Sequence, residues 1–169
     1  RVLVDRVTDG NVPVPDVVPA PTEGIWHPRH GLFTSLAEYR QHLDPDRPTV
    51  GITFPRSYWL EHNTAHIEAL VTAVEELDAN TVPFFCLRLP DARRGNPGMV
   101  QVLENLLRDD EGRCVVDTLV DVHGMSMTAG VPANADAYPN LGVSVLHALT
   151  SYAPRAAWQA TAQGMGSMD

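Results

Sequence analysis

The sequence predicts an α/β fold of the flavodoxin-like type, an open and mostly parallel sheet of about four strands with helices on both faces. Three observations support this fold class. Short, nearly continuous apolar runs alternate with amphipathic segments along the chain. The alternation has the spacing of right-handed βαβ units. The chain has 169 residues, which is enough to bury the core that such a sheet requires.

The first 24 residues are rich in proline and are expected to form a lead-in or linker. Four prolines lie between residues 11 and 24 at spacings of two to four, a pattern that favours extended backbone. Residues 25–169 are then expected to form a single α/β domain.

A short helix and the first strand of the parallel sheet come next. Thr34 or Ser35 can cap the helix, because apolar residues with helical spacing follow them. Residues 49–54 form a β-rich run that ends at a proline, and they predict the first strand. A polar loop over residues 56–62 should then lead into the next helix.

The clearest amphipathic helix is predicted over residues 63–79. Asn63 or Thr64 is its expected N-cap, and Asn80 is expected to close it in the left-handed conformation. The apolar run at residues 81–87 is then the second strand, because its length and composition suit a strand buried on both faces.

The pattern repeats once more toward the C-terminus. A helix is predicted over residues 97–109, with Asn96 as N-cap, Pro97 at the first helical position and Gly112 as the stop. The remaining predicted elements are a third strand, a fourth strand and the start of a final helix, at residues 115–122, 143–149 and 154–160.

Composition argues against several functions. The chain has 21 acidic and 12 basic residues, a formal charge of -9, which argues against binding to nucleic acid or to an anionic membrane. Every basic residue is an arginine, so Schiff-base chemistry and a Walker A phosphate loop are excluded. The sequence also contains no GxGxxG or GxSxG motif, and no apolar stretch in it is long enough to span a membrane.

The two cysteines point to a reducing compartment. Cys86 lies inside an apolar run and Cys114 lies just before another, without CxxC spacing. Both are therefore expected to be reduced and mostly buried, which predicts a cytoplasmic location.

The loop after the first strand contains the main ligand-binding candidates. In an open parallel sheet, ligands meet the loops at the carboxyl ends of the strands, and this loop also precedes a helix N-terminus that could hold an anion. An alternative is that Arg56 pairs with Glu61 or Glu68 while Trp59 fills a domain interface. The candidates are Arg56, Ser57, Trp59, His62, Asn63 and Thr64.

A second candidate site follows the third strand. Asp121 stands at the end of the strand and His123 begins the next loop, so the imidazole could act as a general base or as a metal ligand. The alternative is that His123 only hydrogen-bonds a neighbouring loop. The other histidine pairs lack a recognised metal-binding spacing, and no metal site is expected in this chain.

Several sequence blocks occur together in one order. They lie at residues 25–28, 33–39, 48–54, 56–59, 63–64, 69–70, 82–85, 116–120, 124–127, 141–146 and 150–151, with Arg155, Trp158 and residues 164–165 after them. This ordered set resembles the large subunit of cobaltochelatase, the CobN family, whose relative is the large subunit of magnesium chelatase. The blocks at residues 56–59 and 63–64 look closer to the cobalt branch.

The resemblance implies ATP-dependent insertion of a divalent metal into a tetrapyrrole. The substrates would be cobalt and a corrin precursor of cobalamin, hydrogenobyrinic acid a,c-diamide, or magnesium and protoporphyrin. The large subunit is expected to bind the macrocycle, with no covalently bound cofactor, while separate AAA+ subunits hydrolyse ATP. This chain would then be one domain of a much longer multidomain subunit, inactive alone, and Trp158 joins the ligand-binding candidates.

Two other kinds of function stay open. A flavodoxin-like module that only binds a small ligand would have the same fold, and an acidic interaction module would agree with the charge of -9. Binding of a tetrapyrrole would favour the first kind, and tight association with the rest of a larger subunit would favour the second.

Overall fold

A computed structural model describes residues 16, 18–123, 138, 141–150 and 154–160. Its strands are β1 (Gly24–His27), β2 (Gly31–Phe33), β3 (Thr49–Pro55), β4 (Asn80–Cys86), β5 (Thr118–Asp121) and β6 (Ser144–His147). Its helices are α1 (Leu36–Tyr39), α2 (Arg56–Leu60), α3 (Ala65–Glu75), α4 (Met99–Leu107) and α5 (Arg155–Ala160), with 3-10 turns at Arg40–His42 and Ala92–Arg94. Most of the predicted lead-in at residues 1–24, and the loop block at residues 124–127, lie outside the described residues.

The described strands form one sheet in the order β2-β1-β4-β3-β5-β6. β3 runs parallel to β4 and β5, and β5 runs parallel to β6. β1 is antiparallel to both β2 and β4. The predicted open, mostly parallel α/β sheet is therefore confirmed, but its described part has six strands instead of about four. The two additional strands, β1 and β2, extend the sheet at the β4 edge.

Helices cover both faces of the sheet, as the sequence predicts. Val82 and Phe84 of β4 point to one face, where they pack with α1 and α4. Phe85 points to the other face and packs with Ile67 and Val71 of α3. Because neighbouring residues of β4 are buried on opposite sides, this strand is buried along its whole length, and it is apolar from Val82 to Cys86.

The N-terminus of α1 agrees with one of the predicted caps. Ser35 is the N-cap, and its hydroxyl accepts a hydrogen bond from the backbone N–H of Glu38 at 3.3 Å.

The predicted polar loop at residues 56–62 is wrong in its first half, because the chain turns directly from β3 into the short helix α2.

The boundaries of α3 differ from the prediction at the C-terminal end. Thr64 occupies the N-cap position, but its hydroxyl donates to Glu68 Oε1 at 2.7 Å rather than accepting from the backbone. The left-handed residue after the helix is Asp78, with φ 58°, and not Asn80. Asn80 instead begins β4, where its amide donates to the carbonyl of Asp44 at 2.7 Å.

α4 begins two residues later than predicted. Gly98 is its N-cap with φ 79°, whereas Asn96 lies before the helix and accepts a hydrogen bond from the Gly98 N–H at 3.1 Å. A Cβ atom at Gly98 would lie 2.8 Å from the backbone nitrogen of Pro90, so this position requires glycine. Gly112 has φ 76° in the turn beyond the helix and does not itself terminate it.

The two cysteines are free, and they differ in burial. Cys86 is buried in β4, as predicted, whereas Cys114 is only partly buried after α4.

None of the helices in the described ranges is long and apolar enough to cross a membrane.

Candidate functional site

The carboxyl ends of β3, β5 and β6 meet at one edge of the sheet. Asp121 is the last residue of β5, and the parallel register places it beside Thr53 on one side and His147 on the other. Side chains from three parallel strands therefore converge here, at the edge where open α/β sheets bind ligands.

Asp121 is the centre of this group of side chains. Its carboxylate is fully buried, and one oxygen, Oδ1, accepts hydrogen bonds from the backbone N–H and the ring Nδ1 of His123, both at 2.9 Å. The other oxygen, Oδ2, accepts a hydrogen bond from the Tyr138 hydroxyl at 2.6 Å. The guanidinium of Arg88 lies 3.9 Å from the same oxygen. Asp121 is thus surrounded by donors from three parts of the described chain.

These donors keep the Asp121 carboxylate ionised. Burial acts to raise its pKa, but hydrogen bonds from His123 and Tyr138 outweigh burial and hold the pKa below its ordinary value. The pKa of Tyr138 is raised, first by burial and then by its hydrogen bond to the carboxylate, so this phenol stays neutral. The site therefore contains a buried negative charge with fixed hydrogen-bond partners.

His123 is buried, and both of its ring nitrogens have partners. Nδ1 bonds Asp121, and Nε2 lies 3.8 Å from the sulfur of Cys86. Burial raises the pKa of the Cys86 thiol to about 12, so the sulfur keeps its proton and can donate it to the imidazole. The partners of His123 are thus Asp121 at the end of β5 and Cys86 of β4. Its predicted role as a general base or metal ligand stays a prediction, and so does the alternative that it only hydrogen-bonds a neighbouring loop.

His147 is the second imidazole beside Asp121, and the sequence analysis missed it. Its Nδ1 lies 3.2 Å from Asp121 Oδ2, while its side chain is 53% exposed. The ring also packs edge-on against Tyr138, with 5.7 Å between the ring centroids. One buried carboxylate therefore has an enclosed imidazole on one oxygen and a solvent-accessible imidazole on the other.

The predicted binding segment at residues 56–64 also begins at this edge, but its residues have different surroundings. The Arg56 guanidinium donates to the backbone carbonyl oxygens of Pro21 and Ala20, at 2.6 and 2.9 Å. It pairs with neither Glu61 nor Glu68 in the described structure. Arg56 thus holds the chain that leads into β1.

A surface cavity of about 270 Å³ lies beside α2. Trp59 is held in place because its ring stacks on Phe85 at 4.5 Å with only 9° between the planes. Trp26 of β1 packs edge-on against Phe54 on the same side of the sheet. The lining residues are Trp26, Trp59, Leu60, His62 and Thr64, so three predicted ligand-binding residues meet here.

The other predicted ligand-binding residues do not line this cavity. Ser57 and Asn63 are exposed, and the backbone N–H of Asn63 donates to the carbonyl of Tyr58 at 2.8 Å. Trp158 is 44% exposed on α5. The described residues contain no group of three or more histidine, cysteine, aspartate or glutamate side chains that could hold a metal ion.

The whole chain, residues 1–169, matches the protein family described as CobN/magnesium chelatase. The chain belongs to this family. The resemblance stated from the ordered sequence blocks is thereby confirmed.

Relatives of this CobN-family chain are several times longer than it is. The aerobic cobaltochelatase subunit CobN of Sinorhizobium sp. is 27% identical over 173 residues, which cover 96% of this chain and 13% of that protein. An uncharacterized protein of Methanocaldococcus jannaschii is 23% identical over 177 residues, which cover 99% of this chain and 14% of that protein. The chain therefore spans 13 to 14% of the length of these relatives.

A solved structure supports the fold of the CobN-family chain. The catalytic subunit of cobaltochelatase from Mycobacterium tuberculosis matches it with a TM-score of 0.60 and 22% identity, over 99% of this chain and 13% of that structure. At this identity the match establishes the shared fold, and the roles of individual residues must be argued from the geometry above.

Proposed function

We propose that this chain is a domain of the tetrapyrrole-binding large subunit of a cobaltochelatase, which inserts cobalt into a corrin precursor of cobalamin, hydrogenobyrinic acid a,c-diamide. The observation that carries this proposal is the family match along the whole chain. The relative named as an aerobic cobaltochelatase subunit supports the cobalt branch over the magnesium branch of the family. Insertion of magnesium into protoporphyrin is the alternative within the same family.

The cavity beside α2 is the part of this domain that we assign to the macrocycle. A cavity of about 270 Å³ is too small to enclose a tetrapyrrole, because pockets that bury drug-sized ligands span about 300–1,000 Å³. It can accommodate one edge of the ring, where the indoles of Trp26 and Trp59 offer apolar contact. The rest of the subunit would then close over the remaining faces of the macrocycle.

ATP hydrolysis in this proposal takes place on separate AAA+ subunits. The chain has no lysine and therefore no Walker A loop of its own. The cobalt ion is a substrate, delivered to the macrocycle in the assembled complex rather than held in a resident site of this domain. A cytoplasmic location belongs to the same proposal and agrees with the two free cysteines.

The proposal is tested by tetrapyrrole binding to the complete large subunit. A metal-free corrin precursor is titrated into the subunit, and binding is followed by the shift of the macrocycle's absorbance. Trp59→Leu and Leu60→Ala remove apolar surface from the cavity, and Leu77→Ala is the matched control because Leu77 is 80% exposed and does not line the cavity. Loss of the indole contact should weaken binding about tenfold, which corresponds to about 1.4 kcal/mol.

Three outcomes separate the possibilities. Weaker binding in the two cavity variants, with unchanged binding in Leu77→Ala, supports this cavity as part of the macrocycle site. Equal binding in all variants places the macrocycle elsewhere in the subunit. A complete subunit that binds no macrocycle, while it still associates tightly with its partner subunits, overturns the proposal in favour of an interaction module.

A further inference from the structure

We infer that the outer edge of β6, the side that faces away from β5, pairs with a further parallel strand from the part of the complete subunit that follows α5 in the sequence. The inference rests on one part of the proposed function, that this chain is a domain of a longer subunit, and it is independent of the macrocycle. The chain spans only 13 to 14% of the length of the relatives described above, so such a subunit has ample chain to supply the strand.

The order of the parallel strands predicts a neighbour for β6. In the described sheet these strands run β4-β3-β5-β6, so their order, numbered along the chain, is 2-1-3-4. Doubly wound sheets of the flavodoxin type have the order 2-1-3-4-5, in which the fifth parallel strand lies beside the fourth. The place of the fifth strand is therefore the outer edge of β6, where none of the described strands pairs.

The connection needed to reach that place begins within the described chain. Neighbouring parallel strands are joined by a crossover that usually contains a helix. Residues 148–154 separate the end of β6 from the start of α5, so α5 stands where the helix of such a crossover is expected. Every residue of α5 is exposed, and Trp158 is 44% exposed. Because helices in proteins are stabilised mainly by packing, α5 is expected to become buried when a further strand widens the sheet.

The backbone of β6 presents hydrogen-bonding groups at its outer edge. The N–H of Ala148 donates to the carbonyl of Asp121 at 2.8 Å, so this residue faces β5. Successive residues of a strand direct their N–H and C=O groups alternately to the two sides, so those of Val145 and His147 face away from β5. Such a row of groups is a template on which another strand can pair.

The side chains of β6 also favour a covered edge. Sheet edges that stay open in native proteins are commonly protected by proline or by charged side chains, lysine above all. β6 has the sequence Ser-Val-Leu-His, without proline and without lysine, arginine, aspartate or glutamate. Leu146 in this strand is 58% exposed, and Leu149 just beyond it is 40% exposed. Burial of these leucines by a neighbouring segment removes apolar surface from water.

A parallel fifth strand has a consequence for the edge that contains Asp121. Its carboxyl end lies at the same edge as the carboxyl ends of β3, β5 and β6, because all of these strands run in one direction. The loop after the fifth strand then lies next to the end of β6, where the side chain of His147 is 53% exposed in this domain. The next part of the subunit thus completes the edge at which doubly wound sheets bind ligands.

The first experiment measures amide hydrogen exchange in the complete large subunit, by mass spectrometry with fragmentation to single residues. The N–H groups of Val145 and His147 should exchange at least about 100-fold more slowly than unprotected amides, because the added strand accepts their hydrogen bonds. Ala148 is the internal control, because its N–H is already bonded to Asp121 and should exchange slowly in either case.

A second experiment identifies the strand by disulfide formation in the complete subunit. Leu146→Cys is combined with single cysteines placed along the chain beyond α5, and the linked peptides are mapped after mild oxidation. Disulfides should form at one register and at alternate positions only, because neighbouring residues of a strand point to opposite faces. Leu77→Cys is the matched control, because Leu77 is 80% exposed but lies after α3 and not on β6; it should form no disulfide with this segment.

The outcomes separate this inference from the proposed function. Fast exchange at Val145 and His147, with slow exchange at Ala148, means that the outer edge of β6 is open and overturns the inference. A disulfide from Leu146→Cys to a segment other than the one that follows α5 also overturns it, because another part of the subunit then occupies the edge. Neither result affects tetrapyrrole binding by the same protein. A subunit with the fifth strand in place that binds no macrocycle keeps this inference and loses the proposed function.

Discussion

Asp121→Asn is the substitution that tests most directly how much the hydrogen bonds of the buried Asp121 carboxylate stabilise the fold. The carboxylate is fully buried and accepts hydrogen bonds from His123 on one oxygen and from Tyr138 on the other. An asparagine keeps one accepting oxygen but replaces the second with an NH₂ group, which cannot accept the Tyr138 hydrogen bond. It also removes the negative charge that faces Arg88 and His147.

The expected loss follows from the hydrogen bonds that the amide cannot form. One hydrogen bond to a charged acceptor contributes about 1.5–3 kcal/mol, so Asp121→Asn should lower the free energy of unfolding by about 2–3 kcal/mol. In a chain of this size the midpoint of thermal unfolding should fall by roughly 4–12 °C. The matched control is Asp110→Asn, because Asp110 is exposed, and it should change stability by less than about 0.5 kcal/mol.

The pH dependence gives a second, independent readout of the same prediction. Because the folded pKa of Asp121 lies below its ordinary value, the ionised carboxylate stabilises the fold fully above the unfolded pKa, about 3.9. That stabilisation is lost as the pH falls through the folded pKa. Urea unfolding of both proteins should therefore show a constant difference between pH 6 and 8 that shrinks below about pH 4. A difference under about 0.5 kcal/mol at pH 7, or one that does not change with pH, would refute the reasoning.

Three further predictions concern the core and its titratable groups. Tyr39→Phe should cost about 1–2 kcal/mol in urea unfolding, because the buried hydroxyl donates to the carbonyl of Thr81 at 2.8 Å; an unchanged midpoint would contradict this. Burial lowers the pKa of His27 below 6.5, so its stabilising contribution is present above that pH and lost as the pH falls, and His27→Gln should flatten the stability profile between pH 7 and 5. A thiol reagent should label the half-buried Cys114 first and Cys86 only on unfolding, since burial raises the pKa of Cys86 to about 12; rapid native labelling of both would contradict this.

The central elements of the fold could be predicted because their periodicity is long and unbroken. β3, β4 and α3 each have a clear hydrophobic pattern over at least seven residues. The two strands lie within one residue of their predicted boundaries, and α3 begins two residues later and ends four residues earlier than predicted. β1 and β2 have four and three residues, too few for an alternating pattern to stand out. The start of α4 depends on the contact between Gly98 and Pro90, which only the folded chain reveals.

The group of side chains around Asp121 could be predicted only in part, because some of its members are far apart in the sequence. Asp121 and His123 are two residues apart in sequence, so a reader of the sequence can pair them. His147 lies 26 positions beyond Asp121 and reaches it through the parallel register of β5 and β6. That register could have been anticipated once the third and fourth predicted strands were taken as parallel neighbours. Trp26 was missed because β1 itself was missed.

Asp121 has two hydrogen-bonded partners, and the stability loss in Asp121→Asn alone does not say which of them accounts for it. A double-mutant cycle with Tyr138→Phe does so. If the lost Tyr138 hydrogen bond accounts for most of the effect, Asp121→Asn should lower the free energy of unfolding much less in the Tyr138→Phe background, because no phenol hydroxyl remains without its acceptor. Strong coupling between the two substitutions is therefore the expected result. Additive losses would mean that Asp121 stabilises the fold through His123 and through its charge rather than through Tyr138.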